Sequence, residues 1–260
     1  DVSTLLVLPP AGAARAATRF SGAQARADPT LLAVLSNGAG AMARVRAAWG
    51  DVQSQYDCLL AANPDGRVPV DKTVFWTRCR TWLRYRGYSQ EINKACLARF
   101  EADPGGRFAE WSFNVPCGMG RWVPLVFRLE MAAGVNRVWL TVARHNKRGG
   151  LDPHDEVTII VRPDIEWRSF HHKTKAFLGP EAAWPAASRP EGKGFRFTPA
   201  QGETYRIEAD AGAYHHEPSW TYMVEHAEEA ERGLEAKSDL FSPGWFELPL
   251  ESTRQAVLTA

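Results

Sequence analysis

In the stretch Val123-Pro124-Leu125-Val126-Phe127-Arg128-Leu129-Glu130-Met131, every second residue from Val123 is apolar, and Arg128 and Glu130 stand between them. Such alternation separates an apolar row from a wet row only in a β-strand. Strand side chains alternate between faces, whereas helical ones recur every three to four residues. Val138, Leu140 and Val142 repeat the pattern, as do Val157, Ile159 and Val161. The link Ala132-Ala133-Gly134-Val135-Asn136 between the first two runs reads as a hairpin turn. Residues 74–85, 107–115, 122–131, 136–144 and 156–162 are all expected as strands.

Turns punctuate these runs at Asn63-Pro64-Asp65-Gly66, Asp103-Pro104-Gly105-Gly106, Lys147-Arg148-Gly149-Gly150 and Arg189-Pro190-Glu191-Gly192. Glycine admits positive φ there, and proline presets φ. Short, evenly spaced strands with few helices predict a mainly β chain. The expected fold is a large antiparallel β-sandwich with one or two short helices. Residues 89–100 are the better helix candidate, with Ser89 as cap and Ile92, Cys96 and Phe100 at helical spacing; a strand over 93–102 competes. Residues 225–234, rich in glutamate, read as a solvated helical turn. A second acidic residue, Asp239, then precedes an expected Pro243-Gly244 turn and a strand from Trp245. The Ala-, Gly- and Arg-rich residues 11–48 predict short strands or a helical turn. The loop at 147–150 reads as either a long hairpin or a linker.

Thirty-one Lys and Arg against 30 Asp and Glu leave no field to attract nucleic acid or an anionic membrane. No apolar run reaches the roughly 18 residues of a membrane helix, and the first residues lack a signal-peptide pattern. Cys58, Cys79, Cys96 and Cys117 have no zinc spacing and read as buried free thiols, which points to the cytoplasm. Asp1 to Leu8, ahead of Pro9-Pro10, reads as a strand entered mid-protein, with domain boundaries at both ends.

Two stretches carry a family resemblance. One runs Tyr56-Asp57-Cys58-Leu59-Leu60-Ala61-Ala62-Asn63-Pro64, Val70-Asp71-Lys72, Trp76-Thr77-Arg78-Cys79-Arg80-Thr81-Trp82 and Tyr85-Arg86-Gly87-Tyr88-Ser89-Gln90-Glu91. The other joins Val161-Arg162-Pro163, Arg168 and His171 to Glu229-x-x-Arg232-Gly233-Leu234 and Asp239-Leu240-Phe241-Ser242-Pro243-Gly244. Together they resemble the N-terminal domain of bacterial glycogen debranching enzymes of the amylo-α-1,6-glucosidase type, over roughly residues 50–250. Residues 1–50 depart from it, with only Ala17-Thr18-Arg19-Phe20 similar to the family's opening segment.

The resemblance implies a supersandwich at 51–260, with residues 1–50 part of it. It also implies an (α/α)6 catalytic barrel in the same polypeptide but outside this chain, and branched α-glucan as ligand. On this reading the chain is a non-catalytic domain that packs on the barrel and needs no cofactor or metal.

The residues allow further readings. Glycoside hydrolysis needs two carboxyl groups flanking the scissile bond, and Glu225, Glu228, Glu229, Glu231 and Asp239 offer many. The structural alternative has Glu229 and Asp239 holding Arg232 in an ion pair; on a projecting loop they would line an active-site mouth or a domain interface. The pairs His171-His172 and His215-His216 could bind a metal if they converged, or His171 with Glu217 or Glu225 could serve as acid and base on a sugar ring. The plainer expectation is one buried and one solvated histidine in each pair. Trp111, Trp122, Trp139, Trp167, Trp184, Trp220 and Trp245 include candidates for a sugar-stacking platform. The glycan-binding or interface candidates are thus Arg168, His171, Glu229, Arg232, Asp239, Trp220 and Trp245. A free-standing carbohydrate-binding module and a small epimerase- or lyase-type enzyme remain alternatives.

Overall fold

The computed structural model describes residues 16–64, 72–145, 150–152, 154–200, 203–251 and 254–260. The strand-like start at 1–8 and most of the turns at 63–66 and 147–150 lie outside them. From the amino end, the chain forms β1 (Thr18–Ser21), α1 (Gly22–Ala27), β2 (Leu32–Ser36), β3 (Met42–Arg46), β4 (Cys58–Ala62), β5 (Thr73–Tyr85) and β6 (Tyr88–Glu91). Next come β7 (Leu97–Ala102), β8 (Phe108–Gly118), β9 (Arg121–Met131), β10 (Val138–Arg144) and β11 (Val157–Ser169). The remainder is α2 (Pro180–Ala187), β12 (Ser188–Glu191), β13 (Gly194–Ala200), β14 (Glu203–Ala209), β15 (Ala213–Glu225), α3 (Ala227–Glu231), β16 (Lys237–Leu250) and β17 (Gln255–Thr259).

The strands make two antiparallel sheets. The first has the order β1-β7-β8-β9-β10-β17-β14-β13-β12, and the second β15-β16-β11-β5-β4-β3-β2, with β6 paired to β5. Both sheets draw strands from either side of the loop at 147–150, and β1 to β3 place the Ala- and Arg-rich segment inside them.

The alternating runs set the core. Val123, Leu125, Phe127 and Leu129 of β9 and Val138, Leu140 and Val142 of β10 are buried on one sheet. Leu83 of β5, Ile159 and Val161 of β11, and Phe246 and Leu248 of β16 are buried on the other. Trp49, just after β3, meets Trp111 and Phe127 edge-on at 4.9 and 5.1 Å. Its Nε1 donates to Thr81 Oγ1 at 2.9 Å, so this indole links the two layers and leaves no buried donor unmet. The β9–β10 turn is a hairpin turn, with Gly134 at φ 73°.

Three expectations are corrected. Residues 89–100 are not a helix. Asn93 caps a single 3-10 turn, Lys94–Cys96, between β6 and β7; Cys96 reaches the core from that turn, and Ile92 and Phe100 from extended backbone on either side of it. Strand pairing of Leu97–Ala102 with β8 satisfies more backbone groups than an isolated helix would, so the competing strand reading is the closer one. Pro243-Gly244 is no turn either. It lies within β16, where three steps of β15, from His216 to Ser219, oppose two of β16, from Gly244 to Ser242. Proline is tolerated at such a bulge, and a Cβ on Gly244 would run into the carbonyl oxygen of His215. The glutamate-rich segment does form a helix, α3, but Glu229 within it is fully buried.

Candidate functional site

The outer face of the second sheet follows from the same alternation that builds the core. Cys79, Leu83 and Tyr85 of β5 turn inward, so Arg78, Arg80, Trp82 and Arg84 turn outward. Register then sets Arg78 opposite Asp164, Arg80 opposite Arg162 and Trp82 opposite Ile160. On the next strands Ile160 lies opposite Glu247, and Trp245 opposite His215.

Asp164 has no exposed surface, yet it sits under this face. It accepts from Arg78 Nε at 2.8 Å and from Arg80 Nη2 at 2.7 Å, fixing two guanidiniums side by side. Arg162 donates to Ser242 Oγ at 3.1 Å, Ser219 Oγ at 2.6 Å and the Glu217 carbonyl at 2.7 Å. Trp245 Nε1 donates to Glu217 at 2.9 Å, and its ring stacks on His215 with centroids 3.9 Å apart and planes 14° from parallel. His215 Nε2 lies 3.0 Å from Glu247, which also pairs with Arg84. Half-exposed indoles and oriented guanidiniums on one flat face can stack on apolar ring faces and donate to hydroxyl or carboxylate oxygens.

A second cluster lies beneath α3. Asp57 accepts from Arg46 Nε at 2.9 Å, from the backbone of Gln53 and Ser54, and from Arg44. Glu228 pairs with Arg44 and Arg46. Glu229 accepts from Ser54 Oγ at 2.9 Å and Gln55 N at 3.1 Å. Glu166 accepts from Thr77 Oγ1 at 2.6 Å, Thr174 Oγ1 at 2.8 Å and Arg168 Nε at 2.6 Å. Arg168 also donates to the Gln55 carbonyl at 2.5 Å. Burial alone would raise the Glu166 carboxyl, but the charge of Arg168 and these hydrogen bonds outweigh it and hold the pKa below the usual carboxylate value. Glu228 behaves alike: burial opposes, and the Arg46 hydrogen bond with the two arginine charges lowers it. His226, buried with Nε2 2.7 Å from Ser238 Oγ, has its pKa lowered by burial.

Three of the expected site residues therefore act inside this knot. Arg168 and Glu229 bind the segment around Gln55, and Asp239 accepts the backbone N–H of Ala176 at 2.8 Å and of Met223 at 2.9 Å. The anticipated pairing of Glu229 and Asp239 with Arg232 does not form; Arg232 is exposed at the end of α3. Both carboxylates are buried and meet donors already within reach, which leaves none for an exposed guanidinium. His171 is exposed and lies 3.3 Å from Tyr56 Oη rather than joining Glu217 or Glu225. Trp220, partly buried, stacks on Trp184 at 5.3 Å and packs on Phe241 at the margin of the core. Trp245 alone of the seven stands on the outer face.

Neither histidine pair splits into a buried and a solvated member. His171 and His172 are both exposed, on the loop after β11, and neither His215 nor His216 is buried, because β15 is an edge strand. Trp122 and Trp139 lie half-buried on the outer side of the first sheet. Reasoning from sequence missed Arg78, Arg80, Arg162 and Asp164 as a group. The alternating Arg78-x-Arg80-x-Trp82-x-Arg84 was the available signal, but the carboxylate that gathers the first two comes from a strand 84 to 86 residues away.

The four cysteines are free and buried, and burial pushes the Cys58 thiol up to about 12. Among the described residues no three of His, Cys, Asp and Glu gather as metal ligands, and no helix is long and apolar enough to cross a membrane.

A model of the N-terminal domain of glycogen debranching enzymes matches residues 33–257. The chain belongs to that family. The match reaches β2 and β3, ahead of the stretches that carried the resemblance, and ends within β17. No curated protein matches the chain. In this glycogen debranching enzyme N-terminal domain, the knot under α3 is closed by the chain itself, whereas the face of Arg78, Arg80 and Trp245 is open.

Proposed function

We propose that this domain is the non-catalytic N-terminal part of a glycogen-debranching glycoside hydrolase. It packs on an (α/α)6 catalytic barrel of the same polypeptide and helps hold a branched α-glucan. The observation that carries this reading is the outer face of the second sheet. Arg78 and Arg80 are fixed on the buried Asp164, and Arg162 and Trp245 on Glu217, at a surface that covers no core of its own. Such a face has the donors and ring surfaces that glycan hydroxyls and sugar faces need, and the pre-ordered charge that a domain interface needs. The hydrolytic carboxylates belong to the barrel on this reading.

Calorimetric titration of the purified domain with glycogen and branched maltooligosaccharides, beside a glucose-release assay, tests it. Binding without glucose release, weakened by Trp245→Ala, supports the reading. Glucose release by the isolated domain would falsify it. Absence of binding both to glucan and to the catalytic barrel added in trans would also overturn it.

A further inference from the structure

We propose that the cleft at the open end of the sandwich is a strand slot, filled by the polypeptide immediately downstream of Ala260. This rests on the reading above that the domain continues into a larger polypeptide. The cleft has a volume of about 760 Å³. Leu60, Phe75 and Trp167 of the second sheet form its floor, and Tyr205, Arg206 and Ala260 belong to the first-sheet side.

The slot arises from an unfinished strand pairing. β13 pairs with β14 from Ala200↔Glu203 to Gly194↔Glu208. On its other edge β14 pairs with β17 only at Glu208↔Thr259 and Ala209↔Leu258. Among the described residues, Glu203 to Ile207 have no strand partner on that edge.

Backbone parity shows where the free groups point. The Ala209 N–H donates to Lys193 on the β13 side, and the Asp210 N–H donates to Val257 on the β17 side. Alternate residues face opposite edges, so Glu208, Arg206 and Thr204 aim their N–H and C=O groups toward β17 and the slot. Continuing the antiparallel register past Glu208↔Thr259 sets Arg206 opposite the first residue after Ala260, and Thr204 opposite the third. At Ala260 itself, N–H and C=O are exchanged with Val138, so the next residue turns its own groups toward β14.

Side chains obey the same register. Ala256 and Leu258 are buried, and Ala260 packs on the core beside them. The second and fourth residues after Ala260 then fall over Leu60, Phe75 and Trp167, so they should be apolar, while the first and third face outward. Added main-chain bonds on an open edge are a general way for an extended segment to dock, and they also cover an edge that would otherwise invite a foreign strand.

The test compares amide exchange in the chain ending at Ala260 with that in the natural polypeptide carried at least ten residues further. Exchange at Thr204 and Arg206 should slow at least tenfold in the longer protein. The amides of Tyr205 and Ile207, which face β13, should change little and serve as internal controls. Proline as the first residue after Ala260 removes the donor to the Arg206 carbonyl and sets its ring against that oxygen, which should weaken docking of the whole segment and speed exchange at both Thr204 and Arg206. Equal exchange at Thr204 and Arg206 in both proteins overturns the inference, as does slow exchange already present in the shorter chain, which would mean another segment holds the slot. If a catalytic barrel binds glucan with the domain while these two amides stay fast, the strand slot fails and the proposed function stands.

Discussion

The knot under α3 and the outer face of β5, β11 and β16 use the same side chains to opposite ends. Each ties arginine to a buried carboxylate, Arg168 to Glu166 in one and Arg78 and Arg80 to Asp164 in the other. In the knot, Arg168 is itself buried and spends its remaining donors on the carbonyls of Gln55, Ser169 and Phe170. On the face, Arg78 and Arg80 keep 17% and 27% of their side-chain surface in water. The difference lies in where the arginine's unused donors end. Those closed onto backbone hold the chain; those left at a surface remain able to hold something else.

The largest effect should come from opening the knot. Glu166→Ala leaves Arg168 buried beside unmet hydroxyls, and a broken buried pair costs about 3–5 kcal/mol. Urea unfolding should show that loss; a change below about 1 kcal/mol would place the knot with the weak ion pairs.

Acid should reach the knot in two stages. His226 has a folded pKa below its unfolded value of about 6.5, so its contribution is present above that pH and lost as pH falls through the folded value. Glu166 and Glu228 have folded pKa values below their unfolded value of about 4.3, so their contribution is whole above that pH and drains away only below it. A melting-temperature profile should therefore bend downward first below about pH 6.5 and again below about pH 4.3. His226→Gln should remove the first bend and spare the second.

The outer face should respond in the opposite currency. Trp245→Ala and Arg162→Gln should lower affinity for glycogen or for the barrel about tenfold, roughly 1.4 kcal/mol, while changing stability less than the knot variant does. A stability loss that matches the knot's, with binding untouched, would erase the distinction between the two regions. Smallest of all, Arg84→Gln at the half-exposed pair with Glu247 should cost under about 1 kcal/mol, and less at high salt.

Period-two alternation made β5, β8, β9, β10 and the first part of β11 legible, because one row of each strand lies in a dry core. The glutamates of α3 misled in detail. Sequence spacing puts Glu229 three residues from Arg232, but its partners, Ser54 and Gln55, lie more than 170 residues away. Ser89 to Phe100 misled for a related reason: burial of Ile92, Cys96 and Phe100 is real, and only pairing partners distant in sequence decide whether a helix or a bent extended chain delivers it. Arg78 and Arg80 were visible as an alternating pair, whereas their convergence on Asp164 depended on the β5–β11 register.

The position of β17 between β10 and β14 bears on the birth of the molecule. Trp139 pairs with Thr259, so β10 leaves the ribosome about 120 residues before its neighbour, which at roughly 5–20 residues per second is a wait on the order of ten seconds. Through that interval the first sheet exists as two unjoined pieces, each with an apolar inner face and a bare strand edge. β17 joins the two pieces, so this sheet closes last at its middle rather than at an edge.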